Sequence, residues 1–191
     1  MMNKLPLRQE LLQRRLTLPP AERAQAELAL GESLRAWFVG AGAQLQCIGA
    51  YWPIRGEPNL RPLWYALSTT RTLALPVSSA RQPLRFLRWT PDQAMERDSY
   101  GITVPQGSPA VHPDCVLMPS LGFDRQGYRL GYGAGFYDRT LAHWEQEGLP
   151  RPVLVGVSFA CGVIETPFHQ AHDVPMDWCL TERGMQAVAS D

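Results

Sequence analysis

Residues 121–138 read L-G-F-D-R-Q-G-Y-R-L-G-Y-G-A-G-F-Y-D, directly after an apolar run, Cys115–Pro119. Gly127, Gly131, Gly133 and Gly135 interrupt aromatic and charged side chains. An alternating G-x-G-x-G loop lets the backbone adopt positive φ and turn several N–H groups toward one anion. Arg129 precedes the alternation and Asp138 follows it, residue types that would supply a phosphate partner and a metal ligand on either side of the loop. The bland reading is a hairpin and helix entry that need positive φ and nothing more. The pattern is neither Walker A, which needs G-K-[ST], nor the dinucleotide fingerprint G-x-G-x-x-G. Spacing alone leaves both readings open.

Working outward, the segment 114–119 predicts a strand entering the glycine stretch and 136–147 a helix leaving it. Upstream, Pro6–Leu16 predicts a helix with leucines at 7, 11 and 12, and Pro19-Pro20 breaks it and starts a second helix over 20–38. That helix is expected to place Ala24, Leu28, Leu34 and Phe38 near one face. Cys47–Trp52, Thr72–Val77, Leu84–Trp89, Val153–Phe159 and Trp178–Thr181 read as strands. Asn59 is a candidate cap for a helix over 60–68, and Thr90-Pro91-Asp92-Gln93 has capping-box spacing that predicts a short helical turn. Residues 98–113, with Pro105, Pro109, Pro113, Gly101 and Gly107, are expected to be irregular. Strands alternating with helices predict one α/β domain over 1–191 with a mostly parallel sheet. Ligands of such sheets bind beyond the carboxyl ends of strands, and the loops after Tyr51 and after Pro119 qualify.

The chain has 191 residues, 45% of them apolar, with 18 Lys+Arg against 18 Asp+Glu. Zero net charge gives no global field for nucleic acid or anionic membrane, so an anion must be met locally. Lys4 is the sole lysine, so that local cluster is built from arginine. Cys47, Cys115, Cys161 and Cys179 form no C-x-x-C pair and sit largely in apolar runs, which predicts a reduced, cytoplasmic protein. No apolar stretch approaches membrane-span length, and the basic N-terminus lacks the apolar core of a secretory signal.

Each candidate residue has a structural reading beside the functional one. Asp138, in the first turn of its helix, suits the helix dipole as well as a Mg²⁺ ion. Asp173 passes as a turn residue or a second carboxylate for the same ion. Lys4, Arg8, Arg129 and Arg139 taken singly are surface charges. Cys161, His169, His172 and Cys179 match no standard zinc spacing. Tyr51, Trp52, Phe123, Phe136, Tyr137 and Trp178 read mostly as core, although several flank loops where a flat heteroaromatic ligand would stack. No G-x-S-x-G elbow or activated nucleophile is present.

The segment M-P-S-L-G-F-D-R-Q-G-Y-R-L-G-Y-G-A-G-F-Y-D-R (118–139) resembles the signature of the 5-formyltetrahydrofolate cyclo-ligase family, also called 5,10-methenyltetrahydrofolate synthetases. Three further segments match in order: K-L-P-L-R (4–8) is similar to the family's K-x-x-L-R, Y-W-P-I-R-G-E (51–57) to its Y-x-P-x-x-x-E, and H-D-V-P-M-D (172–177) to its closing H-D-x-x-x-D. The resemblance implies a three-layer α/β/α, Rossmann-like open sheet. It implies ATP- and Mg²⁺-dependent conversion of 5-formyltetrahydrofolate to 5,10-methenyltetrahydrofolate, with ADP and phosphate released.

Carried over by position, Lys4, Arg8, Arg129, Leu130, Gly131, Tyr132, Gly133, Ala134, Gly135, Phe136 and Tyr137 would hold ATP. Asp138 and Asp173 would serve Mg²⁺, and Arg129 with Asp138 would form the catalytic pair. Trp52 and Glu57, with Tyr132 and Phe136, would contact the folate. The implied partners are the two small-molecule substrates, with no nucleic acid, no membrane and the monomer as the working unit. The chain departs from the pattern at Asn59-Leu60, where many members have Asp-Thr, and at Val104, where many have Glu. Competing readings are a folate- or nucleotide-binding relative without turnover and a sugar-phosphate isomerase or CoA transferase on a similar sheet. An RNA-binding role lacks any basic aromatic motif.

Overall fold

The computed structural model describes residues 4–169 and 173–189. Its centre is a seven-stranded sheet of order β12-β11-β9-β6-β1-β2-β3. These strands are β1 (Cys47–Gly49), β2 (Thr72–Val77), β3 (Arg85–Trp89), β6 (Cys115–Pro119), β9 (Val153–Val157), β11 (Trp178–Thr181) and β12 (Gly184–Ala187). The five inner strands run parallel, and β3 and β12 close the edges antiparallel. Four helices accompany them: α1 (Lys4–Leu16), α2 (Pro20–Val39), α3 (Arg61–Leu67) and α4 (Phe136–Gln146). The predicted α/β class and mostly parallel sheet are therefore present.

Alternation along the strands makes three layers. Leu73 and Leu75 of β2, Cys115 and Leu117 of β6, and Val155 and Val157 of β9 share a core with Leu30, Leu34, Trp37 and Phe38 of α2 and Leu63, Trp64 and Leu67 of α3. The intervening Ala74, Val116, Met118 and Leu154 point the other way, into a core with Trp144 of α4. A parallel strand buried on both faces needs apolar side chains at successive positions, which is why C-V-L-M-P and V-L-V-G-V read as unbroken runs.

The strand order reverses beside β1. The chain runs β1–β2–β3 toward one edge, returns to β6 on the other side of β1, and continues to β9 and β11. β1 and β6 pair parallel, Ile48 with Cys115 and Gly49 with Val116, so the loops leaving their carboxyl ends diverge over one crevice. Two small sheets frame that crevice. One is β10 (Val163–Ile164), β7 (Gly122–Asp124) and β8 (Arg129–Leu130), and α1 covers it through Leu11, Leu121, Leu130, Ile164 and Phe168. The other is the hairpin β4 (Met95–Arg97) and β5 (Thr103–Pro105).

Several expectations are corrected. Leu28 of α2 is 70% exposed, and the buried stripe is Leu30, Leu34, Trp37 and Phe38. Leu28 and Leu34 lie six positions apart, about 240° around a helix of 3.6 residues per turn, and cannot share a face. Thr90–Gln93 forms a turn: the Gln93 side chain accepts the Thr90 N–H at 2.7 Å, but no helix follows. The segment 98–113 is not wholly irregular, because β5 pairs with β4 and buries Val104. The strand from Cys47 ends at Gly49, the strand from Val153 ends at Val157, and β12 follows the expected last strand. Asn59 stands before α3, where its Oδ1 accepts the Arg61 N–H at 3.3 Å while Leu60 takes the cap position.

Candidate active site at the sheet crevice

A cavity of about 490 Å³ opens over the carboxyl ends of β1 and β6. The glycine loop forms one wall, with Arg129 to Asp138 all lining it, and α1 contributes Lys4 and Arg8. Gly135 opens α4 at φ +66, and Gly133 turns at φ +94 against the Arg8 guanidinium, whose Cζ would lie 3.2 Å from an added Cβ. A side chain is strained in that region of φ, so the loop needs glycine there. Arg8 in turn donates its Nε–H to the Gly131 carbonyl at 2.9 Å, tying α1 to the loop.

Two ion pairs lie in this half of the cavity. Arg129 Nη2 donates to Asp138 Oδ1 at 2.8 Å, and Lys4 Nζ donates to Asp173 Oδ2 at 2.9 Å. Arg129 also covers the Tyr137 ring, its Cζ 5.1 Å from the centroid, and Arg139 stacks similarly over Phe136. Asp138 and Asp173 both line the cavity, although 35 positions separate them. Two carboxylates beside phosphate-sized cationic groups are a donor set that Mg²⁺ accepts, since that ion takes one or two carboxylates and completes its shell with phosphate and water.

The opposite wall is built by the loop after β1. Glu57 is 4% exposed there, and both carboxylate oxygens are engaged. Its Oε2 accepts the Ile54 N–H and its Oε1 accepts the Tyr132 hydroxyl, each at 3.0 Å. Burial pushes its carboxyl up to about 7, against the opposing pull of the Ile54 N–H, the Tyr132 hydroxyl, Arg15 and Arg55. Trp52 lines the same wall, with the Arg61 guanidinium 4.6 Å from its ring centroid. The loop reaches this shape through left-handed backbone at Arg55, φ 47, and Gly56, φ 72.

The predicted residues of both halves thus meet at one cavity, and Tyr132 touches both walls. Cys161, His169 and Cys179 do not line it; His169 stacks on Tyr128 at 3.8 Å, and among the described residues no cluster of three His, Cys, Asp or Glu forms a metal site. His172 lies outside the described residues.

A model of the 5-formyltetrahydrofolate cyclo-ligase family matches residues 1–182. The chain belongs to this family. It is 30% identical over 178 residues to the 5-formyltetrahydrofolate cyclo-ligase of Haemophilus influenzae, covering 89% of this chain and 92% of the relative. It is 32% identical to the enzyme of that name from Mycolicibacterium smegmatis, covering 97% of each. The NMR structure of Aquifex aeolicus 5,10-methenyltetrahydrofolate synthetase superposes with a TM-score of 0.84 at 27% identity, covering 100% of this chain and 95% of that one. The chain is accordingly an enzyme of the ligase class with the cyclo-ligase fold.

Within this cyclo-ligase, sequence reasoning missed Tyr100, Arg55 and Arg15. Tyr100, between β4 and β5, lines the cavity and meets Phe136 edge-on at 5.2 Å. An aromatic before a glycine in a polar loop was the available signal. Arg15 shows no local signal at all; only the packing of α1 brings it to Tyr132. Val104, a departure from the acid expected by resemblance, is 2% exposed and serves packing. Among the described residues, no helix is long and apolar enough to cross a membrane.

Proposed function

We propose that this cyclo-ligase converts 5-formyltetrahydrofolate to 5,10-methenyltetrahydrofolate in an ATP- and Mg²⁺-dependent cyclisation that releases ADP and phosphate. The observation that carries the reading is one cavity with the glycine loop, Lys4, Arg8 and Arg129 on one wall and the buried Glu57 carboxyl on the other.

A formamide carbonyl is a poor electrophile, because the N5 lone pair is delocalised into it. Transfer of the γ-phosphoryl group to the formyl oxygen would turn that oxygen into a leaving group. N10 then attacks the activated carbon and gives up its proton to solvent, the C–O bond breaks, and phosphate departs as the ring closes. Such chemistry asks the protein for alignment and charge neutralisation rather than a covalent intermediate. Loop N–H groups between Arg129 and Tyr137, with Lys4, Arg8 and Arg129, would neutralise the triphosphate. Asp138 and Asp173 would hold Mg²⁺, which would supply charge neutralisation for the triphosphate. Glu57 would accept N–H groups of the pterin edge, and Trp52, Tyr132 and Phe136 would pack on the ring.

Both half-sites come from one chain, which supports the monomer as the catalytic unit. Cys47, Cys115, Cys161 and Cys179 are free, in keeping with a cytoplasmic enzyme. The test incubates purified protein with 5-formyltetrahydrofolate, ATP and MgCl₂ and follows the near-ultraviolet absorbance of the methenyl product. Formation of product only when ATP is present is expected. Folate binding without product would replace this reading with that of a non-turning-over relative.

A further inference from the structure

Arg15 is 1% exposed and among the largest fully buried side chains of the molecule. Burying a guanidinium costs heavily unless an anion compensates it. Among the described residues no carboxylate forms a salt bridge with Arg15. Its Nη1 donates to the Ser120 carbonyl at 3.3 Å, and its Nη2 donates to the Tyr132 hydroxyl. That hydroxyl donates onward to Glu57 Oε1 at 3.0 Å. The compensating anion therefore sits one hydroxyl away.

The direction of this chain is set by chemistry. Arginine has no acceptor atom, so the Arg15–Tyr132 bond runs one way, and the single tyrosine proton is left for Glu57. The Ile54 N–H holds the other carboxylate oxygen at 3.0 Å. With one protein donor on each oxygen, each retains a lone pair for a second donor. Two such lone pairs suit two parallel N–H groups, the edge that a pterin presents.

We propose that Arg15 is a positioning residue for the folate: through the Tyr132 hydroxyl it orders the two Glu57 carboxyl oxygens toward the cavity and favours the carboxylate over the acid. The proposal rests on the reading of Glu57 as the folate contact. The groups around Glu57 agree with it. Arg15 from α1 and Arg55 from the loop after β1 favour its ionised form. The hydroxyls of Tyr51, Tyr132 and Tyr137 are pushed up by burial first and by Glu57 second, so they remain neutral donors. Arg15 and Arg55 also lie over the Tyr132 ring, at 5.6 and 5.2 Å from its centroid.

The experiment titrates 5-formyltetrahydrofolate into the full chain by calorimetry, without ATP, across a pH series. The wild type is compared with Arg15→Met, Arg15→Lys, Tyr132→Phe and Glu57→Gln. Arg15→Met should weaken binding at neutral pH by roughly 10-fold, the scale of one charge-assisted hydrogen bond. It should also move the midpoint of the pH profile upward, because a cation favouring the carboxylate is gone. Tyr132→Phe should shift the midpoint in the same direction with the ring retained, and Arg15→Lys should restore most of the wild-type profile. A merely structural role would lower the binding-competent fraction and leave the midpoint in place. An unmoved midpoint in Tyr132→Phe, or in a folded Arg15→Met, overturns the proposal. If Glu57→Gln itself leaves affinity and pH profile unchanged, the folate assignment fails instead; a flattened profile there beside wild-type behaviour in the Arg15 variants defeats the relay alone.

Discussion

Arg129 and Asp138 neutralise each other across 2.8 Å, so the cation proposed for a phosphate is bonded to the carboxylate proposed for the metal. Lys4 and Asp173 repeat the arrangement at 2.9 Å on the same cavity. Both pairs join chain segments brought together by the fold, and both would have to exchange partners for a metal–nucleotide complex to enter.

The first prediction follows from that exchange. Bare Mg²⁺ must displace an ammonium or guanidinium from each carboxylate and offers those cations nothing in return, whereas Mg²⁺ with ATP supplies phosphates to receive them. Calorimetric titration with MgCl₂ alone should give little heat, and the same titration with ATP present should give saturable binding. Equal Mg²⁺ affinity with and without nucleotide would contradict the exchange.

Asp138→Asn separates catalysis from stability. The Asp138 side chain is 48% exposed, so loss of its ion pair should cost less than about 1 kcal/mol of folding stability. Loss of a metal ligand at the phosphoryl group should lower kcat by roughly 100-fold or more. Chemical denaturation and steady-state kinetics on the same preparation check the pair of outcomes. A stability loss in proportion to the rate loss would assign Asp138 to the helix terminus instead.

Glu57 makes folding stability depend on pH. Its folded-state carboxyl is raised from 4.5 to about 7, chiefly by burial, so the folded state holds a proton that the unfolded chain releases. The stability tied to that proton is fully present below about pH 4.5 and is lost as pH rises through about 7. Its full amplitude is roughly 3 kcal/mol at 1.36 kcal/mol per unit. Glu57→Gln, which cannot ionise, should gain stability relative to wild type as pH rises across that window in ligand-free denaturation curves. In kinetics, Glu57→Ala should raise the folate KM; an unchanged value would remove Glu57 from the folate site.

Gly133→Ala tests the loop itself. The position has φ +94, and an added Cβ would sit 3.2 Å from Arg8 Cζ. Forcing a side chain into that conformation costs on the order of 1 kcal/mol or more and displaces the loop or the arginine. A raised KM for ATP with the folate KM nearly unchanged is expected, measured by varying each substrate separately.

Much of this architecture was legible in the chain. Thr72–Val77 and Trp178–Thr181 coincide with observed strands, and Cys115–Pro119 and Val153–Val157 stand out because burial on both faces demands uninterrupted apolar side chains. Pro19-Pro20 placed the break between α1 and α2 by backbone chemistry alone. The short strands β4, β5 and β12 were not legible, since three or four residues without apolar alternation become strands only by pairing with a neighbour.

The glycine stretch from Leu121 to Asp138 carries its own identity, because turn geometry, helix entry and the flanking Arg129 and Asp138 are local properties of residue type and spacing. The partners of those residues are not local. The meeting of Lys4 with Asp173, of Arg8 with Gly131, and of Arg15 with Tyr132 and Glu57 depends on α1 packing over the small sheet beside the crevice. So does the proton affinity of Glu57: an exposed glutamate in the same sequence would be an ordinary acid, and burial between two loops makes it one that titrates near neutrality.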